Sequence, residues 1–445
     1  MANNMKICVK ERIMIRPAKE TPQRNLWVSD LDLIVSRAHV PTVYFYKQQP
    51  NNTSNSNFFE AQVLKDALSE VLVPFYPAAG RLGEDENGRI HINCNGNGAL
   101  FIEAETTSFL HHFGDFTPCS DMLHLVPDFD SYDDISSYPL FSVQLTRFGC
   151  GSVCIGVSVH HIVVDGISAI HFINSWSDIA RGIPITNPPF IDRTLLDARV
   201  PPTPTYHHIE YDPPPTMMNT SSQTHDSKPI STKMFKITRD QLTTLKSKIN
   251  SGIKYSTYEI LTAHIWHCVC KARELCNDQA VKLFIPTDGR FRFDPPLPAG
   301  YFGNVQFTTT VLSSANEIES SQLDQIVEKI HKSLKKKDDG YLRSALDYLK
   351  KQPDLTVVRR GPHTFKCPNM DIVSWTSLPL YDADFGWGKP IYMGRAKVSS
   401  EGMACIVRGP NNDNTLSLII GLHANHMDSF HNLFYEILDV NDGRK

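Results

Sequence analysis

Apolar residues recur along this chain with two periods. In "GSVCIGVSVHH", residues 151 to 161, Val153, Ile155, Val157 and Val159 fall on one side and Cys154, Gly156, Ser158 and His160 on the other. Period two is a strand, and it carries His161 to the end of the apolar side. The next stretch, "DGISAIHFINSWSDIARG", turns to helical spacing through Ile167, Ile170, Ile173, Trp176 and Ile179, with Arg181 and Gly182 at its end. Upstream, "PTVYFYKQ" reads as a strand. "FEAQVLKDALSEVLVPFYP" reads as a helix through Val63, Ala67, Leu68, Val71 and Leu72, stopped at Pro74.

Residues 183 to 232 break the pattern. "TNPPF", "VPPTPTY" and "DPPPTMMNTSSQTHDSKP" predict a crossover with no helix of its own. The alternation then resumes. "STYEILTAHIWHCVCKAREL" predicts a helix, "AVKLFIPTDGRFR" a strand, and "DPPLPAGYFGN" a loop. "IESSQLDQIVEKIHKSLKKK" predicts one long amphipathic helix through Ile318, Leu323, Ile326, Ile330 and Leu334. Its terminal Lys335, Lys336 and Lys337 suit a solvated helix C-terminus. "TLSLIIGLH" and "MDSFHNLFYEILDV" predict a last strand and helix. The expectation is an α/β protein of mixed sheets and flanking helices, with units at 1–182 and 233–445 joined by 183–232.

Composition narrows the function. At 445 residues the chain is too long for one ordinary core and suits two units of about 200 residues. It is 41% hydrophobic and 21% charged with net charge -4, so no strong field of either sign would draw nucleic acid. No run of 18 apolar residues predicts a membrane span, and "MANNMKICVKERIMIRP" lacks a secretory apolar region. A cytoplasmic location is expected. None of the ten cysteines forms a CxxC pair, which suits buried free thiols in a reducing compartment. The sequons at Asn52 and Asn219 carry little weight without a secretory signal.

Chemistry concentrates in "SVHHIVVDGISA". A metal site is poorly signalled, since a single close His–Asp pair has no third ligand. A serine or cysteine hydrolase lacks its motif, because "GISAI" has no second glycine of a nucleophile elbow. A hydrogen-bonded histidine at a strand end and a histidine general base both remain. A second unusual segment, "YDADFGWGKP" at 381 to 390, tips the balance towards the base. It joins Asp384 and Trp387 to Gly386 and Gly388.

With HHxxxDG, DFGWG and "YFGN" (Tyr301 to Asn304), the chain resembles the plant BAHD acyltransferases. "IRPAKETPQRNLWVSDLDLIV", "HFINSWSDIARG", "PPFIDRTLLDARVPPTPTYHHIEY" and "RRGPHTFKCPNM" resemble its hydroxycinnamoyl-CoA:shikimate/quinate transferase branch. The likeness runs from about Met5 to the final helix. It implies two chloramphenicol-acetyltransferase-like domains with a channel between them, no metal, no cofactor beyond the CoA thioester substrate, and a monomer. Donor and hydroxy acid acceptor would meet at His161, the general base, with no covalent intermediate.

The resemblance also assigns residues. Asp165 is structural and pairs with Arg290 or Arg292, Gly166 allows the tight turn after it, and Asp384, Gly386 and Gly388 fix the DFGWG loop. Trp387 would donate its indole N–H to the developing oxyanion, a contribution of about 3 kcal/mol. Arg360 would hold the acceptor carboxylate, with Thr42, Tyr44, Val373 and Trp375 lining the same pocket. Ser256, Thr257 and Tyr258 match a segment near CoA. Val373 replaces the branch's usual threonine, Val163 and Val164 replace small alanines, and "MGRAKVSSEGM" lacks the usual glycine pair. These departures disfavour shikimate and point to a smaller or more apolar hydroxy acid, of the malate or aryl-lactate kind. N-acylation of an amine and a non-catalytic CoA-ester-binding relative are the alternatives. Arg360 argues against a polyamine, and intact His161 and DFGWG argue against decay.

Overall fold

The structure is a computed structural model that describes residues 5–48, 57–129, 134–218, 229–398, 400–409 and 415–438. Asn52 and Asn219 lie outside these residues. Two six-stranded sheets dominate. The first runs β1 (Cys8–Ile15), β6 (Ala99–Thr106), β7 (Phe141–Phe148), β8 (Val153–His160), β3 (His39–Tyr46), β13 (Tyr392–Arg395). The second runs β11 (Gln306–Ser314), β10 (Ala280–Asp288), β12 (Met370–Ser374), β14 (Met403–Arg408), β15 (Leu416–His423), β9 (Ile230–Ile237). A small sheet joins β2 (Arg24–Trp27), β5 (Ile90–Cys94) and β4 (Arg81–Glu84). Both large sheets are mixed, with β6–β7, β10–β12 and β12–β14 parallel.

The alternation in β8 sorts its residues as expected. Val153, Ile155 and Val157 enter the core that also holds Ile170, Ile173 and Trp176 of the helix Gly166–Ala180. Cys154 packs on the opposite side with Leu125 and Val126. There the backbone comes so close that a Cβ on Gly156 would stand 1.8 Å from the Leu125 carbonyl oxygen, so only glycine fits.

Four expectations change. The strand Tyr392–Arg395, placed by sequence in the 233–445 unit, pairs instead with β3 and forms the edge of the first sheet. The long helix through Ile318 and Leu334 is two helices, Ala315–Ser320 and Leu323–Lys335, because Gln322 leaves the helical backbone and caps the second through Gln325. Lys337 is not solvated: it is buried and bonded to Glu210 at 2.9 Å. The crossover contains two single-turn helices, Thr194–Leu196 and Ile209–Tyr211. Among the described residues no helix is long and apolar enough to cross a membrane.

Candidate active site

A cavity of about 420 Å³ opens between the two large sheets. One wall comes from the first sheet: Thr42 and Tyr44 of β3, Val157 and Val159 of β8, then His161. The period-two pattern explains this face, since residues 157, 159 and 161 point the same way. The opposite wall comes from β12, whose Asp371 and Val373 face the cavity with Trp375 just beyond, while Met370 and Ile372 turn into the other core. Arg360 closes the end.

The backbone that holds His161 is bonded carbonyl by carbonyl. Asn304 Nδ2 donates to the His161 oxygen at 2.9 Å and to that of Ile162 at 3.3 Å. Arg193 donates to Ile162 at 3.4 Å and Val163 at 2.6 Å. Asp32 sits behind both, accepting from Asn304 at 2.8 Å and pairing with Arg193 at 3.2 Å. All three are buried. Sequence reasoning missed Asp32 and Arg193; the signal available was their polarity within otherwise apolar or proline-rich stretches, "SDLDLIV" and "PPFIDRTLL".

Asp165 is turned away from the imidazole into a bidentate pair with Arg290, at 2.8 and 2.9 Å. It also caps the helix Gly166–Ala180 through the Ser168 N–H and accepts the Val305 N–H at 3.0 Å. These bonds hold its carboxyl below the ordinary range against the opposing effect of burial. Arg290, not Arg292, is the partner: Arg292 donates to the Leu334 and Lys337 carbonyls at 3.0 Å. Gly166 is the first residue of the helix and has no left-handed φ; the turn lies just before it, where the Val163 N–H donates to the His160 carbonyl at 3.0 Å. Its bare Cα instead keeps that part of the cavity wall open.

Burial pushes the His161 pKa below its ordinary value, Arg395 and Arg360 push the same way, and Asp165 opposes them. The imidazole is thus neutral at neutral pH and able to accept a proton. Among the described residues its Nδ1 is buried without a partner. Nε2 is the nitrogen left to meet a substrate. Arg360 is buried too, and its Nε and Nη2 find no hydrogen-bond partner among the described residues. A surface arginine would be hydrated; this one is buried in the cavity lining with part of its donor set unsatisfied.

Trp387 is not in the cavity. It packs on Phe59 with ring centres 4.9 Å apart, which removes it from the oxyanion role expected of it. The DFGWG loop is a clamp. Asp384 Oδ1 accepts the Gly386 and Gly388 N–H groups, both at 2.9 Å, and both glycines have φ near +100° that other residues rarely adopt, 101° and 103°. Phe385 sits edge-on to Trp176 at 4.6 Å. The tryptophan that does line the cavity is Trp375. Ser256 caps the helix Thr257–Arg273, and Tyr258 donates to the Ile372 carbonyl at 2.6 Å. Neither these two nor Thr257 reaches the cavity.

Among the described residues no group of three or more His, Cys, Asp or Glu side chains could hold a metal ion. The sequence matches the transferase family over residues 5–437. The chain belongs to the transferase (BAHD) family. It is a CoA-dependent acyltransferase. It is 51% identical to a shikimate O-hydroxycinnamoyltransferase of Nicotiana tabacum, covering 97% of this chain and 100% of that one. A rosmarinate synthase of Plectranthus scutellarioides is 45% identical over the same shares. A hydroxycinnamoyl-CoA:5-hydroxyanthranilate N-hydroxycinnamoyltransferase of Avena sativa is 46% identical, again over 97% and 100%. Among solved structures, vinorine synthase superposes with a TM-score of 0.76 at 21% identity, over 98% of this chain and 99% of that one. That likeness fixes the fold, the mixed α/β architecture expected from the sequence.

Proposed function

We propose that the protein transfers a hydroxycinnamoyl group from its CoA thioester to the hydroxyl of a carboxylate-bearing acceptor. The observation that carries this reading is Arg360: a buried, incompletely hydrogen-bonded guanidinium residue that lines the same cavity as His161. A planar fork of donors in a dry site matches a carboxylate and places the rest of the acceptor beside the imidazole. The hydroxycinnamoyl donor is supported by the names of relatives at 45 to 51% identity.

His161 Nε2 takes the hydroxyl proton as the oxygen attacks the thioester carbonyl. The tetrahedral intermediate expels the CoA thiolate, and the imidazolium returns its proton to the sulfur. The products are an ester and free CoA. A positioned base of this kind contributes about 10²- to 10⁴-fold. Val373 faces the cavity and offers no hydroxyl, so a polyol acceptor finds one hydrogen-bonding partner fewer there. The test is incubation of the purified protein with p-coumaroyl-CoA and a mixture of shikimate, quinate, malate, 4-hydroxyphenyllactate and spermidine. An ester of a hydroxy acid supports the reading. A spermidine amide, or no product, contradicts it.

A further inference from the structure

The cavity that holds Arg360 carries further positive charge that a single acceptor carboxylate leaves unanswered. Arg395, at the end of β13, faces the cavity beside Thr42, its partner in the sheet register. Its guanidinium lies over the Trp375 ring, 5.3 Å from the ring centre. Nη1 reaches only the Met403 sulfur, at 3.6 Å, and Nε is buried without a hydrogen-bond partner among the described residues. Lys397, exposed, lines the same cavity two residues on. The carboxyls in the lining are Asp165, committed to Arg290, and Asp371. Among the described residues Asp371 forms no ion pair with either arginine. Burial pushes its pKa up to about 7 while Arg360 and Arg395 pull it down, so near neutral pH it offers the two arginines only part of one negative charge.

We infer that the acceptor is a hydroxy dicarboxylic acid, one carboxylate held by Arg360 and the second by Arg395, with its hydroxyl presented to His161. This rests on the carboxylate-acceptor reading above and specifies it. Two guanidiniums in one 420 Å³ space repel each other when the cavity is empty, and a dianion relieves both. The two arginines come from different parts of the fold: Arg395 enters from the edge of the first sheet, and Arg360 follows the helical turn Leu355–Val358 that precedes the second sheet's β12. An acceptor with one carboxylate leaves the half-buried Arg395 without an anionic partner in the cavity.

The experiment measures kcat/KM of the full chain with p-coumaroyl-CoA and four acceptors. These are malate, its monoamide with the distal carboxylate neutralised, lactate, and the amino acid aspartate. Malate is expected to exceed the monoamide and lactate by about 100-fold, mostly through KM. Arg395→Met should remove that preference, bringing malate down to the level of lactate. Arg360→Met should depress malate and lactate alike. Arg395→Lys, which keeps the charge, should restore part of the preference and guards against a folding defect, checked by thermal melting. Equal use of malate and lactate, with Arg395→Met silent, overturns this inference and leaves the single-carboxylate reading standing. Preference for aspartate, lost in Asp371→Asn, overturns it in favour of an acceptor that carries an ammonium. No turnover with any hydroxy acid, shikimate included, overturns the underlying reading itself.

Discussion

Arg290 grips Asp165 with both of its terminal nitrogens, at 2.8 and 2.9 Å, and so occupies the carboxylate that a His–Asp dyad would have used. The aspartate of HxxxD therefore positions the histidine through the backbone. It ties the start of one helix to an arginine at the end of β10 and leaves the imidazole to its cavity. Asp165→Asn breaks a buried ion pair and strands the guanidinium. Its expected cost is about 3–5 kcal/mol in urea unfolding. Turnover per folded molecule should fall far less than in His161→Ala.

His161→Ala should lose about 10²- to 10⁴-fold in kcat with p-coumaroyl-CoA and the best acceptor. Its stability should stay within about 1 kcal/mol, because the ring loses no Nδ1 hydrogen bond to another residue. Stopped or steady-state assays of CoA release, beside a melting curve, check both halves. Unchanged turnover would support the non-catalytic alternative.

The pH dependence has a definite sign. A histidine whose pKa is lowered by burial stays neutral, and active, to lower pH than a free imidazole. The acid limb of kcat/KM should therefore lie below pH 6.5. Asp371 titrates near 7 in the same cavity, so the limb is read in Asp371→Asn. A limb at or above 6.5 in that variant contradicts the burial argument.

Stability should fall on mild acidification for a related reason. Burial pushes His39 and His264 down to about 4 and His160 down to about 3. In the unfolded chain these rings take up protons below 6.5, and in the folded one they do not until about 4. Each should remove about 1–2 kcal/mol between pH 7 and pH 5. Urea midpoints across that range measure the sum, and His264→Gln, far from the cavity, should flatten it.

Trp387→Phe should keep kcat within about twofold and cost stability, since the ring packs on Phe59 outside the cavity. Trp375→Leu should raise the acceptor KM, because it removes the ring over which Arg395 lies. Side-by-side kinetics of the two variants separate the roles. A large kcat loss in Trp387→Phe alone would restore the oxyanion assignment.

The strand periodicity placed His161 at the end of an apolar face, and "TDGRFR" held the arginine that meets Asp165. Those features are local: a period of two and a short polar motif define them. Three others depend on what the chain meets at long range. Nothing in "IYMGR" says that it pairs with β3 across 350 residues of chain, and without that pairing Arg395 has no visible link to the cavity. Asp371 looks like an ordinary strand residue until burial and two arginines surround it. Trp387 and Trp375 are twelve positions apart, and no local pattern says that the first packs on Phe59 while the second lines the cavity.

The most direct test sets a hydroxy acid acceptor against its own carboxamide, in the native protein and in Arg360→Met. A buried charge-assisted pair predicts a preference for the acid of about 100-fold in kcat/KM, and its collapse in the variant. Equal use of acid and amide by the native protein would contradict the claim that Arg360 binds the acceptor beside His161.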